Sequence, residues 1–277
     1  SGSADGECLD GRELRHVVVP WAGVRPELAA ALRERPHLTL SNSHFNDASV
    51  AQHAVALLLA AANRLIEPDR ALRQGDWRHK DDSSFRSLPL PGASALLLGY
   101  GAIGRRVAEA LRAMGMRVGV YRNSPGEPDE GVEREFGPGE LHGALRGSQV
   151  VVASLPSTRE TRGLLGEQEF AALPRGAVLV NVGRGDVIDQ WALYRALESG
   201  RLRAAGLDVW WDYPQRPGEK RLPAEAPLHE LPNLVLSPHR ADMVDGWEEE
   251  CFRDVLRTLE ELAGGRVRNR VDVERGY

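Results

Sequence analysis

A glycine turn between two apolar segments is the feature of this sequence that most restricts its fold. Residues 95–98 form a short apolar run, and the turn Gly99-Tyr100-Gly101-Ala102-Ile103-Gly104 follows it. Residues 103–114 place apolar side chains every three or four positions, and a second apolar run covers residues 118–121. Strand, glycine turn, helix and strand form the βαβ unit that binds a dinucleotide pyrophosphate at the helix N-terminus. The alternative is a tight turn of another α/β protein, because glycine-rich turns are common.

Composition and charge exclude several classes of protein for this chain of 277 residues. The net charge of −5 provides no broad basic surface, so no nucleic-acid partner is predicted. The longest apolar stretch, residues 54–62, is too short to span a bilayer, and no signal peptide is recognisable. Cys8 and Cys251 lie far apart, which fits a reducing compartment better than a disulfide framework. We therefore expect a cytoplasmic protein of two compact domains with no membrane partner.

The rest of the sequence alternates between apolar strand patterns and helical patterns. Residues 75–94 and 123–139 are polar and predict loops, and residues 211–232 predict a long proline-rich loop. Strands are predicted at residues 17–19, 38–40, 150–153, 177–182, 204–209 and 234–237, and helices at 26–35, 50–72, 166–173, 190–199 and 246–263. This alternation predicts an α/β fold with a doubly wound parallel sheet.

The predicted helix over residues 50–72 is apolar nearly all round in its first half. Such a helix is typical of one that is buried between two domains. His53 lies near its start and has two interpretations. It either faces a cleft or is a core histidine whose hydrogen bonds are satisfied.

Three side chains with useful chemistry follow predicted strands: Arg184, Asp208 and His239. In an open parallel sheet the ligand crevice lies at the carboxyl ends of the strands, so these residues are expected to converge. Arginine binds a carboxylate through two parallel hydrogen bonds, and histidine exchanges a proton near neutral pH. Hydride transfer to a 2-keto acid needs both groups. Taken singly, each residue has a plainer interpretation, as a surface cation, a helix cap and a loop histidine respectively.

Five segments together resemble the D-isomer-specific 2-hydroxyacid dehydrogenase family, over a match from about residue 15 to the C-terminus. They are GYGAIGRRVAEALRAMGMRV, LPSTRETRGLL, NVGRGDVIDQWALYRALESGRLRAAGLDVW, LPNLVLSPHRAD and SVAQHAVALLLA. The resemblance implies two Rossmann- or flavodoxin-like doubly wound parallel-sheet domains with a cleft between them. It also implies a homodimer that interconverts a small 2-keto acid, such as glyoxylate or hydroxypyruvate, and its D-2-hydroxy acid with a nicotinamide cofactor.

The resemblance also assigns domains and site residues. The substrate domain is expected to comprise residues 1–70 and 247–277, and the dinucleotide domain residues 71–246. Arg184 is expected to bind the substrate and His239 to be the general acid/base, with no metal. Substrate contacts from the other domain are expected from Ala22, Gly23 and Asn46. Cofactor contacts are expected from the glycine turn and from Leu155, Pro156, Thr161, Val182, Gly183, Arg184, Asp208, His239 and Ala241.

Three features depart from the family pattern. The strand-helix-strand stretch that usually precedes Val17 is missing or much shortened, so either an N-terminal piece is absent or the substrate domain is unusually small. Arg122 replaces the usual acidic residue after the second strand of the βαβ unit. This exchange predicts NADP in preference to NAD, with Asn123 and Ser124 as further donors, unless Arg122 points to solvent. Tyr213 stands where the glutamate partner of the histidine is expected, and Asp212 beside it is the less favoured partner.

Two other functions stay open at this point. One is a dehydrogenase of another small acid, such as formate or phosphite. The other is a non-catalytic, corepressor-like protein that binds a dinucleotide. This second alternative stays open because Tyr213 stands where the family has a catalytic glutamate.

Overall fold

The structure is a computed structural model that describes residues 9–11, 13–124 and 129–275. Cys8 lies outside the described residues. The strands are β1 His16–Val18, β2 Thr39–Ser41, β3 Ser94–Leu98, β4 Arg117–Tyr121, β5 Arg134–Phe136, β6 Val150–Ala153, β7 Ala177–Asn181, β8 Leu202–Leu207 and β9 Leu234–Leu236. The helices are α1 Pro26–Arg33, α2 Asp47–Ala62, α3 Ile66–Leu72, α4 Ala102–Ala113, α5 Leu141–Arg146, α6 Glu167–Ala172, α7 Gln190–Glu198 and α8 Trp247–Ala263.

The chain divides into two compact units. The smaller comprises Ser1–Asp47 and Asp242–Tyr277, and the larger comprises Ala48–Ala241. The predicted domain boundary at residue 70 differs from this division by α2 and α3. The reason is packing, because α2 lies directly against the large sheet. A Cβ atom built on Gly206 in β8 would lie only 2.8 Å from the Cβ atom of Leu57 in α2.

The larger unit contains a seven-stranded parallel sheet in the order β5-β4-β3-β6-β7-β8-β9. Its central strand β6 is apolar throughout, as expected for a parallel sheet that is covered on both faces. In β6, Val151 and Ala153 pack into one core cluster, whereas Val150 and Val152 pack into a second. Helices α5, α6 and α7 contribute to the first cluster, and α2 and α4 to the second. The predicted doubly wound α/β fold is confirmed.

The smaller unit has a two-stranded parallel sheet of β1 and β2, with an antiparallel bridge between Ser41 and Arg270. Its apolar core contains Leu32 of α1, Leu40 of β2 and Val271. Helix α8 brings a buried carboxylate, Asp254, which accepts hydrogen bonds from the Ser43 hydroxyl and the Arg268 guanidinium. Burial raises the pKa of Asp254, but the hydrogen bonds from Ser43 and Arg268 outweigh it and hold the pKa below its usual value.

The prediction of one helix over residues 50–72 is wrong. Helices α2 and α3 replace it, and their axes differ by 66°. Arg64, between them, has a φ of 51°, and the Leu65 and Arg64 N–H groups donate to the Ala60 and Ala61 carbonyls. This pattern is a Schellman motif, which ends a helix. Its left-handed position is occupied by Arg64 rather than glycine, so the sequence carried no sign of the break.

Two short elements were also missed by the sequence analysis. One lies in a segment that was predicted to be a loop, and the other lies in a segment for which nothing was predicted. β5 lies within residues 123–139, and α5 follows at Leu141–Arg146. β5 is a three-residue edge strand that is exposed at its first position and only half-buried at the other two, so it lacks the apolar pattern of a central strand. Among the described residues no single helix is long and apolar enough to cross a bilayer. The bent pair α2 and α3 meets that requirement only when the two are counted together.

Candidate functional site

The parallel register of the large sheet places five strand ends in one row. Leu98 pairs with Ala153, Ala153 with Asn181, Asn181 with Leu207, and Leu207 with Leu236. Tyr121 of β4 pairs with Leu98, so Arg122 lies one residue beyond the same row. Apart from Tyr213, every other segment with predicted chemistry in the larger unit begins within one or two residues of this row. The segments are the glycine turn, the loop from Leu155, the turn at Arg184, Asp208 and the loop of His239. The fold therefore gathers them at one edge of one sheet.

The glycine turn has the shape of a pyrophosphate cradle. Gly99 has a φ of 94°, which favours glycine, and Gly101 is the N-cap of α4. A Cβ atom on Gly104 would lie 2.4 Å from the Gly99 carbonyl oxygen, whereas one on Gly101 would meet nothing within 4 Å. The first turn of α4 carries no acidic side chain. The turn therefore leaves open space over free N–H groups, and a dinucleotide pyrophosphate fits there.

The loop after β6 packs against this turn. The Leu155 Cδ2 atom lies 3.2 Å from the position of a Cβ atom on Gly99, and the Ser154 hydroxyl donates to the Gly99 carbonyl at 3.3 Å. Within the loop, the Thr161 hydroxyl donates to the Pro156 carbonyl at 2.6 Å and accepts from the Thr158 N–H at 2.8 Å. Thr161 thus fixes the loop from inside. The predicted cofactor contact of Leu155, Pro156 and Thr161 stays a prediction.

The turn that carries Arg184 is held by a buried asparagine. The Asn181 amide donates to the Arg184 carbonyl at 2.9 Å and accepts from the Gly183 N–H at 3.0 Å. A Cβ atom on Gly183 would lie 2.5 Å from the Leu155 carbonyl oxygen. One on Gly185 would lie 2.3 Å from the Trp210 carbonyl oxygen. The turn is therefore tightly enclosed, and the half-buried Arg184 guanidinium donates to the Gly183 carbonyl at 2.7 Å.

His239 lies in a loop whose backbone is strained. Its φ of 54° is in the left-handed region, which costs a non-glycine residue roughly 1–3 kcal/mol. Asp208, only 1% exposed, accepts the N–H groups of Arg240 and Ala241 at 3.0 Å each and the Ser237 hydroxyl. These bonds bracket His239 and hold the loop in place. The carboxylate of Asp208 thus faces the loop. The predicted contacts of Asp208 and Ala241 with the cofactor stay predictions.

Of the two predicted partners of His239, the structure brings Tyr213 to it. The ring centroids of Tyr213 and His239 are 5.5 Å apart, with planes tilted by 52°. The Tyr213 hydroxyl accepts the Trp210 N–H at 3.0 Å, and burial raises the pKa of this phenol above its usual value. It is therefore uncharged near neutral pH. Asp212 instead forms an ion pair with Arg221 at 3.0 Å.

Arg122 is paired rather than directed to open solvent. Its Nε and Nη2 atoms each donate to a carboxylate oxygen of Glu135 at 2.9 Å, and the Glu135 side chain is only 3% exposed. The edge strand β5, which the sequence did not reveal, places Glu135 there. Asn123 and Ser124 follow on the exposed surface. A group that binds at Arg122 therefore meets an arginine whose charge is already partly balanced.

The predicted substrate contacts Ala22, Gly23 and Asn46 lie in the smaller unit. The Asn42 side chain donates to the Ala22 carbonyl at 2.7 Å, which joins the bend at residues 21–23 to the segment after β2. Asn46 lies in the turn before α2, where the Asp47 N–H donates to the His44 carbonyl at 3.2 Å. Their contact with substrate stays a prediction.

Three further side chains support the site and were not predicted as site residues. Ser237 and Glu135 were missed, although Ser237 is a buried polar residue that closes an apolar strand and so carried a detectable signal. His53 was noted, and its place is now clear: its Nε2 atom lies 2.8 Å from the Ser237 hydroxyl. Among the described residues, no group of three or more His, Cys, Asp or Glu side chains is arranged to hold a metal ion.

Comparisons with known proteins agree with this geometry. Residues 55–241 match the family model described as D-isomer specific 2-hydroxyacid dehydrogenase, NAD binding domain. The chain is 33% identical over 270 residues to a glyoxylate reductase of Thermococcus gammatolerans, which covers 95% of this chain and 78% of that protein.

Two solved structures are also similar. A glyoxylate reductase from Paecilomyes thermophila superposes with a TM-score of 0.79 at 29% identity, covering 94% of this chain and 76% of that one. A D-isomer specific 2-hydroxyacid dehydrogenase from Xanthobacter autotrophicus, in complex with NADPH and MES, has a TM-score of 0.78 at 30% identity, over 96% and 80% respectively.

The glycine turn generates a paired prediction. Gly101→Ala should leave thermal stability unchanged but weaken the binding of the nicotinamide dinucleotide at least tenfold, because the methyl group occupies open space that the pyrophosphate needs. Gly104→Ala should destabilise the fold by about 1–3 kcal/mol, because its Cβ atom meets the Gly99 carbonyl. Thermal unfolding and fluorescence titration measure the two effects. Wild-type affinity in Gly101→Ala would show that the cofactor does not approach this position.

Proposed function

Since the chain belongs to the D-isomer specific 2-hydroxyacid dehydrogenase family, we propose that it reduces a small 2-keto acid to its D-2-hydroxy acid and catalyses the reverse oxidation. The proposed substrates are of the glyoxylate or hydroxypyruvate type, and NADP is the proposed preferred cofactor. One geometric feature supports this proposal most: the register of β7, β8 and β9 brings the turn of Arg184, the buried Asp208 and the loop of His239 to the same sheet edge.

The cofactor supplies the hydride when it is bound, and the protein has residues suited to hold it. The turn from Gly99 to Gly104 and the first turn of α4 accommodate the pyrophosphate. The loop that begins at Leu155 lies against that turn, and Gly183 lies against the backbone of Leu155. Arg122 lies at the end of β4, where it donates to a 2′-phosphate in our proposal.

In the proposed reaction, Arg184 binds the substrate and His239 transfers the proton. The guanidinium binds the carboxylate, orients the keto group and stabilises the charge that develops on its oxygen. His239 gives a proton to that oxygen during reduction and takes it back during oxidation. Tyr213 covers one side of the imidazole without adding a negative charge. The left-handed backbone at His239, held by Asp208, keeps the imidazole in one direction.

A substrate panel tests the proposal. Glyoxylate, hydroxypyruvate, pyruvate and bulkier 2-keto acids are offered with NADPH and with NADH, and loss of nicotinamide absorbance is followed. We expect turnover that is highest for the small 2-keto acids and almost abolished in His239→Ala, because this variant lacks the imidazole proposed to transfer the proton. Oxidation of formate or phosphite without any 2-keto acid reduction would favour the other dehydrogenase function. Cofactor binding without turnover of any of these acids would favour a corepressor-like protein.

Cofactor preference is tested at Arg122. Charge-assisted hydrogen bonds contribute about 1.5–3 kcal/mol, so kcat/KM should favour NADPH over NADH by roughly tenfold or more. Arg122→Asp should move the preference toward NADH. This substitution is best combined with Glu135→Gln, because a second carboxylate beside buried Glu135 would be repelled. Glu135→Gln alone is the matched control. Equal kcat/KM with both cofactors in the wild-type protein contradicts the assignment.

The partner of His239 is tested through the pH–rate profile of reduction. Reduction needs the protonated imidazole, so activity is lost as the pH rises through the pKa of that ring. A carboxylate nearby raises an imidazole pKa, so Tyr213→Glu should shift the basic limb of the profile to higher pH. Tyr213→Phe keeps the ring and should leave the limb in place. If Tyr213→Glu has no effect but Asp212→Asn moves the limb down, Asp212 is the partner instead.

A further inference from the structure

His53 in α2 is a polar side chain that the proposed chemistry does not use. Its side chain is 26% exposed and points at the segment that carries His239. The Nε2 atom lies 2.8 Å from the Ser237 hydroxyl and 3.4 Å from the Oδ1 atom of Asp208. Ser237 and Asp208 are both buried. Residues 184 positions apart in the chain therefore meet in one polar cluster, which we call the His53–Ser237–Asp208 chain.

The direction of the hydrogen bonds follows from the number of protons available. A serine hydroxyl has one proton, and the Ser237 hydroxyl donates it to Oδ1 of Asp208. The Ser237 oxygen can then only accept from His53, so the His53 Nε2 atom must carry a proton. A carboxylate accepts and cannot donate, which is consistent with the same assignment. The chain therefore runs from His53 Nε2–H to Ser237 Oγ–H to Asp208.

The far end of this chain holds the backbone around His239. The Oδ1 atom of Asp208 also accepts the Arg240 N–H, and its Oδ2 atom accepts the Ala241 N–H. On the other side of His239, the Ser237 carbonyl accepts the His239 N–H at 3.0 Å and the Trp210 indole N–H at 2.8 Å. A left-handed residue such as His239 keeps its conformation only when its surroundings enforce it.

We propose that His53 is a positioning residue for His239 and acts through the His53–Ser237–Asp208 chain. The His53 N–H group fixes the orientation of the Ser237 hydroxyl. The hydroxyl then keeps donating to Oδ1 of Asp208, and this oxygen stays aligned with the Arg240 N–H. Without this donor, the Ser237 hydroxyl is free to rotate away, and Asp208 holds the loop less firmly. The inference rests on the proposed function, since it assigns His239 the proton transfer.

Two variants of His53 separate positioning from packing. His53→Phe keeps a ring of similar size but removes the donor, whereas His53→Gln restores an N–H group near the position of Nε2. Gln52→Ala changes an exposed neighbour on the same helix and is the matched control. In the cofactor-free protein, hydrogen exchange at the Arg240 and Ala241 amides reports directly on the hydrogen bonds that these amides donate to Asp208.

We expect His53→Phe to speed exchange at these two amides at least tenfold, while the amides of β6 exchange as in the wild-type protein. For 2-keto acid reduction, kcat should fall at least tenfold, with little change in the KM for NADPH. His53→Gln should recover most of both losses, and Gln52→Ala should cause neither.

Three results would overturn the proposal. These are unchanged exchange at Arg240 and Ala241 in His53→Phe, faster exchange throughout the larger unit, and a His53→Gln variant as impaired as His53→Phe. Hydrogen exchange needs neither substrate nor cofactor. A wild-type protein without turnover would therefore reject the proposed function while the exchange data still decided whether His53 holds the loop.

Discussion

The in-register parallel pairing of β3, β6, β7, β8 and β9 is the constraint on which the rest of the larger unit depends. Because the strands end in one row, the residues after them leave the sheet at the same edge. A shift of one residue would turn each strand's side chains to the opposite face and separate these segments. The core supports the register, since alternate residues of β6 belong to different apolar clusters.

A sheet edge that collects polar residues must also satisfy them, because a buried polar group without a partner is costly. Asn181, Asp208 and Ser237 meet this requirement in the same way. Asn181 ends β7, Asp208 follows β8 and Ser237 follows β9. The side chains of Asn181 and Asp208 bond to the backbone of a loop, and the Ser237 hydroxyl donates to Asp208. The bonds leave Arg184 and His239 on loops of restricted geometry. Buried polar residues at this edge thus position the two residues proposed to act on substrate.

Charge is arranged differently at the two residues that depart from the family pattern. At Arg122, a buried carboxylate balances the guanidinium, so the proposed preference for a 2′-phosphate depends on Glu135 as well as on the arginine. At Tyr213, an uncharged ring replaces an expected carboxylate beside His239. The positive charge of Arg122 is therefore partly neutralised, whereas His239 lacks the negative charge that a glutamate would place beside it. Both bear on the electrostatics of the proposed reaction rather than on the fold.

The sequence by itself determined the α/β class, the βαβ unit at residues 95–122, the family and the positions of the candidate residues at strand ends. These follow from local periodicity, from glycine spacing and from motifs, which are written in adjacent residues. Only the tertiary structure decided that Arg64 breaks the long helix, that Glu135 pairs with Arg122, and that His53 reaches Ser237. Contacts between distant elements depend on sheet register, on helix packing and on side-chain rotamers. None of these is encoded in a local pattern.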